Sequence, residues 1–194
     1  MTNTNNGKSR VVIVSGPSGV GKSTICKEIV ERLDYVYLSI SVTTRPKGKI
    51  EIDGQDYWFV SEEEFQRRID KGLLLEYAEV FGHLYGTPKD KTEEALKAGK
   101  AVILEIDVQG ATKVKAVYPD AVAIFILPPS AKELAERLDH RGRDSEEVAE
   151  ERLNGASAEI AAAWQYYKYM VINEDLQQAV DECVQIIENA RSET

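Results

Sequence analysis

Four apolar runs stand out along the chain, and each of them predicts a buried β-strand. The first occupies residues 11–14, and the others lie within residues 100–111, 121–129 and 168–175. Continuous apolar runs of this kind are typical of parallel strands whose two faces are both covered by helices. Because helical patterns alternate with these runs, the sequence predicts an α/β fold built on a doubly wound parallel sheet.

Apolar residues that recur every three or four positions predict a helix after the first strand and another at the end of the chain. The first helix carries an apolar face formed by Ile25, Ile29, Val30 and Leu33. The last carries a longer stripe, expected to pack on the core, formed by Leu176, Ala179, Val180, Cys183, Ile186, Ile187 and Ala190. A cluster of aromatic residues before it is also expected to pack inside the protein, namely Trp164, Tyr166, Tyr167 and Tyr169.

The segment between residues 41 and 87 has a more polar and irregular pattern, which predicts a small inserted lobe. Asp53-Gly54 is a turn signal between alternating residues, so a small antiparallel excursion is expected there. Ser61, with Glu64 three residues later, forms a capping box that predicts a short helix. Residues 81–88 are expected to form a loop. A lobe of this kind can hold a second substrate opposite the core.

Length and composition support one domain. The chain has 194 residues, of which 43% are hydrophobic and 29% are charged, enough for one core and too few for two ordinary domains. We therefore expect a single domain over residues 1–194, with its core at about 10–40 and 88–190 and the lobe at about 41–87.

The charge and the cysteines narrow the possible partners. A net charge of −9 and a pI near 4.9 argue against a general affinity for nucleic acid or for an anionic membrane. Cys26 and Cys183 lack the neighbouring ligands of a metal site. The sequence has no secretory signal and no apolar run of transmembrane length, so we expect a cytoplasmic, reduced enzyme.

The segment GPSGVGKST, at residues 16–24, lies between the first predicted strand and the first predicted helix. Its glycines let the backbone turn its amides inward, and the helix behind it presents unpaired N–H groups, which together bind an anion. Lys22 adds a charge for the outer phosphates, and the Ser23 hydroxyl is the expected ligand of Mg²⁺. This is the pattern of a P-loop. The residues expected to bind ATP here are Gly16, Pro17, Ser18, Gly19, Val20, Gly21, Lys22, Ser23 and Thr24.

A P-loop by itself is found in GTPases, motor and transport ATPases and small-molecule kinases. A GTPase needs an Asn-Lys-x-Asp motif to read guanine, and the nearest candidate, VINEDL at residues 171–176, lacks the lysine. The second strand ends in Glu105 and Asp107, which places two carboxylates at the edge of the sheet where ligands bind. These observations disfavour a GTPase and leave ATPases and small-molecule kinases open.

Further motifs make the chain resemble guanylate kinase over residues 10–190. They are SVTTRP, DGQDYWFV, LEYAEVFGHLYGTP, LEIDVQGA, LPPS and RLDHRGRDSEE. The resemblance implies ATP-dependent phosphorylation of GMP, and of dGMP, to GDP, with Mg²⁺ bound alongside ATP. It also implies a P-loop core with an inserted GMP-binding lobe and a helical lid at about 137–155.

The resemblance assigns guanine recognition to Glu76 and Asp107, with support from Ser41 and Thr87. Guanine presents two N–H donors that a carboxylate accepts, whereas adenine presents a lone pair that a carboxylate repels.

The GMP phosphate is assigned by the same resemblance to Arg45, Tyr57 and Tyr85. The family usually has a second arginine three residues after the first, and this chain has Gly48 there, between Lys47 and Lys49. We therefore expect weaker GMP binding than in a relative with both arginines.

The lid and the remaining ATP contacts complete the expected site. The resemblance implies that Arg137 and Asn173 contact ATP, and that Ser23 and Glu105 hold the metal. Residues expected to act in transfer itself are Lys22, Arg45, Arg141 and Arg152.

Two alternatives stay open at this point: a kinase for another small acceptor, and a noncatalytic guanylate-kinase-like interaction module. The expected partners are ATP and GMP, without nucleic acid or membrane, and a homo-oligomer is compatible with the sequence.

Overall fold

The structure is a computed structural model that describes residues 9–140 and 146–192, with the side chains of 138–140 and 146–154 excepted. The strands are β1 Val11–Ser15, β2 Val36–Ser39, β3 Val42–Thr43, β4 Trp58–Phe59, β5 Leu74–Val80, β6 His83–Pro88, β7 Ala101–Glu105, β8 Val122–Leu127 and β9 Tyr169–Ile172. The helices are α1 Lys22–Arg32, α2 Glu62–Asp70, α3 Lys89–Lys97, α4 Val108–Val117, α5 Ala131–His140, α6 Glu146–Tyr166 and α7 Leu176–Ser192.

Five strands form the main sheet in the order β2-β7-β1-β8-β9, and every neighbouring pair is parallel. The prediction of a doubly wound parallel sheet is therefore confirmed. The four predicted apolar runs became β1, β7, β8 and β9. The fifth strand, β2, was not predicted, because Tyr37 and Leu38 are only partly buried at this edge of the sheet.

Alternate residues of β1 face opposite sides of the sheet and divide the core in two. Val12 and Val14 pack with α1 and α7 on one side. Ile13 packs on the other side with residues of α4 and α6. The P-loop thus follows a strand that is buried on both faces, which fixes the start of the loop.

The predicted stripe of α7 is buried from Ala179 to Ala190, and only Leu176 at its start is partly exposed. The aromatic cluster is partly a wrong prediction. Tyr167 is 7% exposed and donates a hydrogen bond to Ser15 Oγ at 2.7 Å, but Trp164 is 68% exposed and Tyr166 is 57% exposed. The outward face of a helix end carries these two rings, so helical spacing alone did not distinguish them from core residues.

A second sheet, with the order β4-β3-β6-β5, forms the inserted lobe. The expected antiparallel excursion at Asp53-Gly54 is wrong, since β4 pairs parallel with β3. The turn is instead closed by its own carboxylates. Asp53 accepts from the backbone N–H of Phe59 at 2.9 Å, and Asp56 accepts from that of Ile52 at 2.9 Å.

The expected loop at residues 81–88 is also wrong, because this segment supplies β6, which pairs antiparallel with β5. Phe81 and Gly82, which join the strands, have φ of 50° and 74°. Two left-handed residues in succession make the tight turn that suits a two-residue hairpin. The motif therefore supplies the strand that carries Tyr85 and Thr87 and holds both at fixed positions beside β5.

The predicted helix of the lobe is α2, and its cap is half of the expected capping box. Ser61 Oγ accepts from the backbone N–H of Glu64 at 3.2 Å. The carboxylate of Glu64 pairs with Arg67 and Arg68 instead of returning to Ser61.

Lobe and core are joined by an ion pair between Lys27 Nζ of α1 and Asp56 Oδ1 at 2.8 Å. None of the helices in the described ranges is long and apolar enough to cross a membrane.

Candidate active site

The P-loop connects β1 to α1 through backbone that only glycine adopts easily. Gly16 has φ of 148° and Gly21 has φ of 102°. A Cβ on Gly21 would lie 2.5 Å from Nδ2 of Asn173, so a side chain is excluded there as well. No side chain in the described ranges caps α1, so its first N–H groups point into the loop, where they can bind an anion.

Lys22 begins α1, and its ammonium lies over the loop. Its Nζ donates to the carbonyl oxygens of Gly16 at 2.5 Å and Pro17 at 3.0 Å. Of the other residues expected to bind ATP, Ser18 borders the cavity, and Thr24 is exposed on α1. The Val20 side chain is fully buried, which leaves only its backbone for a ligand.

Ser23 and Glu105 come together from α1 and the end of β7. Ser23 Oγ donates to Glu105 Oε1 at 2.7 Å. A hydroxyl oxygen and a carboxylate oxygen this close form the kind of hard-ligand pair that Mg²⁺ accepts. No cluster of three or more His, Cys, Asp or Glu residues suited to a metal occurs in the described ranges.

Two carboxylates from separate elements face each other at the start of α4. Glu76 on β5 is 6% exposed and accepts a hydrogen bond from Thr87 Oγ1 at 2.6 Å. Asp107 caps α4 by accepting from the backbone N–H of Gly110 at 2.8 Å. A Cβ on Gly110 would lie 2.7 Å from Glu76 Oε2 and 3.2 Å from Asp107 Oδ1. The glycine therefore lets both acids approach the same point.

The buried position of Glu76 changes its ionisation. Burial raises its pKa, Asp107 acts in the same direction, and the hydrogen bond from Thr87 opposes both. As a carboxylate, Glu76 keeps one oxygen on Thr87 and presents the other towards Gly110, where a donor from a ligand can meet it.

The phosphate-binding candidates lie on the lobe between these acids and the P-loop. The Arg45 guanidinium lies 5.3 Å from the ring centre of Tyr57, and the rings of Tyr57 and Tyr85 are 5.8 Å apart. Burial raises the pKa of Tyr57, and Glu105 acts in the same direction, so its phenol remains a neutral donor. The three residues thus form a cationic and hydroxyl-rich wall.

Arg45 is held by Glu51, which sequence reasoning missed. Nη1 and Nη2 of Arg45 donate to the two carboxylate oxygens of Glu51 at 3.0 and 2.7 Å. This hydrogen-bonded pairing is the main cause of the raised pKa of Arg45. The Glu51 side chain is only 9% exposed, which makes the pair a partly buried one.

Gly48 lies against the same carboxylate. Its backbone N–H donates to Glu51 Oε2 at 2.7 Å, and a Cβ on Gly48 would lie 2.8 Å from that oxygen. Its φ is not in the left-handed region, so glycine is not required there by backbone strain. Lys47 Nζ donates to the backbone oxygen of Glu51 at 3.0 Å.

Arg137 and Asn173 meet at the back of the P-loop. Asn173 Nδ2 donates to the Val20 carbonyl at 2.7 Å, and Arg137 Nη1 reaches the same oxygen at 3.4 Å. Arg137 Nη2 also donates to the backbone oxygen of Asn173 at 2.9 Å. The structure thus brings together the two residues expected to contact ATP and places both beside the P-loop.

The two arginines expected in the lid cannot be placed in the site. Arg141 lies outside the described residues, and Arg152 belongs to α6 but its side chain is outside them. Their expected contribution to transfer remains a prediction.

One cavity brings most of these groups together, bordered by the P-loop on one side and the lobe on the other. Its lining includes Lys22, Ser41, Glu76, Tyr85 and Asp107. Ser23, Tyr57 and Glu105 border both this cavity and an adjoining one. Arg45 borders the adjoining cavity.

Glu159 of α6 also borders the first cavity, and sequence reasoning missed it. Burial raises its pKa, Lys22 opposes this shift, and Asp107 adds to it. Nothing in the helical pattern separates this acid from solvated ones, since its environment depends on how α6 packs. Glu51 and Gly110 were missed because their surroundings, too, depend on contacts between segments that are distant in the sequence.

Comparison with known proteins gives a consistent result. The sequence model of the guanylate kinase family matches residues 8–190. The chain is 49% identical to the guanylate kinase of Carboxydothermus hydrogenoformans over 175 residues, which cover 90% of this chain and 85% of that protein. It is 47% identical to that of Synechocystis sp. over 180 residues, covering 93% of this chain and 94% of that protein. The crystal structure of guanylate kinase from Anaplasma phagocytophilum matches with a TM-score of 0.81 at 34% identity, covering 97% of this chain and 89% of that one.

Proposed function

Since this chain belongs to the guanylate kinase family and phosphorylates GMP to GDP with ATP, we propose how its residues divide that work. The observation that supports the proposal best is the single cavity bordered by Lys22 of the P-loop and by Glu76 and Asp107. A donor phosphate site and a base-recognition site face each other there. This arrangement suits transfer between two nucleotides.

Glu76 and Asp107 select the acceptor base, with Thr87 and Ser41 in support. Thr87 holds one oxygen of Glu76 by its 2.6 Å hydrogen bond, which leaves the other oxygen for the N–H donors of guanine. With adenine, a buried carboxylate would face a lone pair and lose its partner, which costs about 1–3 kcal/mol or more. Both GMP and dGMP present the same base edge and the same phosphate, so we propose that both are substrates.

Arg45, Tyr57 and Tyr85 hold the acceptor phosphate. In the transfer step, an oxygen of that phosphate forms a bond to the γ-phosphorus of ATP. The bond from phosphorus to the β–γ bridging oxygen breaks, and its electron pair leaves with ADP. Lys22 stabilises charge on the moving group, and we propose that Arg141 and Arg152 of the predicted lid add further positive charge.

Ser23 and Glu105 fit a magnesium ion, because their oxygens lie 2.7 Å apart at the mouth of the P-loop. When bound with ATP, Mg²⁺ neutralises charge on the phosphate oxygens. Arg137 and Asn173 position the nucleoside end of ATP near the P-loop carbonyl of Val20, which both already contact.

We place the reaction in the cytoplasm, because Cys26 and Cys183 are both free thiols, as is usual in a reducing compartment. The alternative of a noncatalytic interaction module is disfavoured by the intact Lys22 and Ser23.

The proposal is tested by coupled ADP release with ATP and, in turn, GMP, dGMP, AMP, UMP and dTMP. We expect efficient use of GMP and dGMP only. Lys22→Ala serves as the control, and should lower kcat by about a hundredfold or more while circular dichroism stays unchanged. Preferential use of AMP, or near-normal turnover by the Lys22 variant, would refute the assignment.

A further inference from the structure

We propose that Glu51 is a positioning residue for GMP: it holds Arg45 by one edge of the guanidinium and so aims the other edge at the acceptor phosphate. The inference rests on the proposed function, because it takes Arg45 as a ligand of that phosphate. It adds a residue that does not itself contact substrate.

The contacts of Arg45 determine which edge is held. A guanidinium has five N–H donors, arranged as two two-pronged edges and one further hydrogen. The end-on edge, Nη1 with Nη2, donates to the two oxygens of Glu51 at 3.0 and 2.7 Å. The other hydrogen of Nη1 donates to the backbone oxygen of Pro46 at 3.0 Å. The hydrogens that these contacts leave belong to Nε and Nη2, which form the second two-pronged edge. The Tyr85 side chain, itself a proposed ligand of the phosphate, also makes a hydrogen bond with the guanidinium.

That second edge matches two oxygens of a phosphate, as bidentate arginine contacts do. Arg45 borders the same cavity as Tyr57 and Tyr85, and the Tyr57 ring lies under the guanidinium at 5.3 Å. One face and one edge of the guanidinium are therefore already set before a ligand arrives. Because the side chain is already ordered, less conformational entropy is lost when a phosphate binds.

Glu51 is itself fixed from several directions. Oε2 accepts from the Gly48 N–H at 2.7 Å as well as from Arg45, and the Glu51 backbone oxygen accepts from Lys47 at 3.0 Å. The carboxylate thus lies where a side chain at position 48 would begin. In this chain the carboxylate and one well-oriented arginine occupy the space next to Gly48.

If Glu51 positions Arg45, removing its carboxylate should weaken GMP binding, whereas an argument from net charge alone predicts tighter binding. Removing the carboxylate would leave Arg45 with more uncompensated positive charge, which favours phosphate binding. Arg45 stays protonated in either case, so the two accounts differ only in whether orientation or net charge dominates. The sign of the change in KM therefore distinguishes them.

The test is Glu51→Gln, assayed with ATP and GMP. The amide has one acceptor oxygen, and its NH₂ faces a guanidinium that can only donate, so one prong of the pair is lost. We expect the KM for GMP to rise about tenfold, with kcat changed less than about twofold, which is the scale of one charge-assisted hydrogen bond. The matched control is Glu63→Gln, an exposed residue of α2 in the same lobe, which makes the same change in charge and should leave KM unaltered.

Two further measurements separate positioning from general damage to the lobe. Guanosine has the base and ribose but no phosphate, so its inhibition constant should not change in Glu51→Gln. In an Arg45→Ala background, Glu51→Gln should produce no additional rise in KM. An unchanged or lowered KM for GMP, or a parallel loss of guanosine binding, would overturn the inference. Failure of the unmodified protein to phosphorylate GMP would instead overturn the proposed function, and would be seen before any variant is compared.

Discussion

At the scale of single residues, Glu76 shows how burial and recognition are linked. The carboxylate is nearly inaccessible and is held by Thr87, and its raised pKa has burial as its first cause. Guanine binding requires the ionised form, since only that form accepts without presenting a proton. The group that we propose as the reader of the base is therefore also one that takes up a proton more readily than an ordinary carboxyl group.

We predict that the advantage of Glu76 over glutamine depends on pH. Near neutral pH, Glu76→Gln should lower kcat/KM for GMP by about 10- to 100-fold, the scale of one disrupted charged hydrogen bond. Below the raised pKa, Glu76 is protonated and loses the same acceptor, so the ratio of the two proteins should shrink. Steady-state kinetics measure this ratio from the lowest pH at which both proteins stay folded up to neutral pH, and titration of the GMP phosphate cancels in it. A ratio that does not shrink towards the acidic end would contradict the prediction.

The same shift affects stability with a definite sign. Because the folded free enzyme holds the proton of Glu76 above the ordinary pKa of 4.5, it binds more protons than the unfolded chain in that interval. The contribution of Glu76 to the free energy of unfolding is thus present below pH 4.5 and is lost as pH rises through the raised value. Urea unfolding of Glu76→Gln should lack this slope.

At the scale of elements, the sequence predicted those parts that depend on local pattern. The P-loop between β1 and α1, four of the five parallel strands and the stripe of α7 all follow from runs and periods that the chain displays directly. The lobe and its helix α2 were predicted, but the strands of the lobe were not, because the β5–β6 hairpin depends on left-handed Phe81 and Gly82 and on pairing between strands. The family resemblance identified Tyr85 and Thr87 as site residues but did not predict the strand that carries them. Glu51 and Gly110 were identified only from their contacts in the folded structure.

The start of α4 offers a test that separates helix stability from base recognition. In Gly110→Ala the new Cβ would come within 2.7 Å of Glu76 Oε2, so one of the two acids must move. We expect the KM for GMP to rise about tenfold or more, with the KM for ATP unchanged. Alanine is favoured over glycine in a helix by up to about 1 kcal/mol, so the melting temperature should not fall. Gly155→Ala, where the Cβ meets nothing within 4 Å, is the control for thermal unfolding. An unchanged KM for GMP would show that the two acids do not act at this point.

The end of α6 offers a second test, of stability. Tyr167→Phe removes the hydrogen bond to Ser15 Oγ and leaves that buried hydroxyl without this partner. We expect a loss of about 1–3 kcal/mol in the free energy of unfolding, measured by urea denaturation. Tyr166→Phe, the exposed neighbour, should change it by less than about 0.5 kcal/mol. Equal effects of the two changes would contradict the assignment.

At the scale of the whole molecule, the site exists only because lobe and core face each other across a cavity. Lys27 of α1 and Asp56 of the lobe, which border the adjoining cavity, join the two sides. The pair is exposed at its lysine, so it contributes little to overall stability. Its position lets it affect how the proposed phosphate ligands of the lobe, Arg45, Tyr57 and Tyr85, are held relative to the P-loop.

We predict that Lys27→Met raises the KM for GMP by less than about fivefold in low salt, because an exposed ion pair contributes at most about 1 kcal/mol. The difference from the unmodified protein should disappear near about 0.5 M salt, where such pairs are screened. Lys97→Met, an exposed lysine of α3, is the control and should have no effect at either salt concentration. An effect of Lys27→Met that persists in high salt would show that its cause is not the ion pair.

The anchoring of Tyr167 to Ser15 also has a mechanical consequence. Helix α6 has 21 residues and is about 30 Å long at 1.5 Å per residue, and it is fixed at its C-terminal end, where Ala163 is buried and Tyr167 is bonded to the strand before the P-loop. A rotation of α6 by about 10° about Tyr167 would displace the end at Glu146 by about 5 Å. Ala156, in the middle of the helix, is buried in the core and opposes such a rotation. The bond from Tyr167 to Ser15 and the packing of Ala156 thus together hold the start of α6 in place relative to the strand before the P-loop.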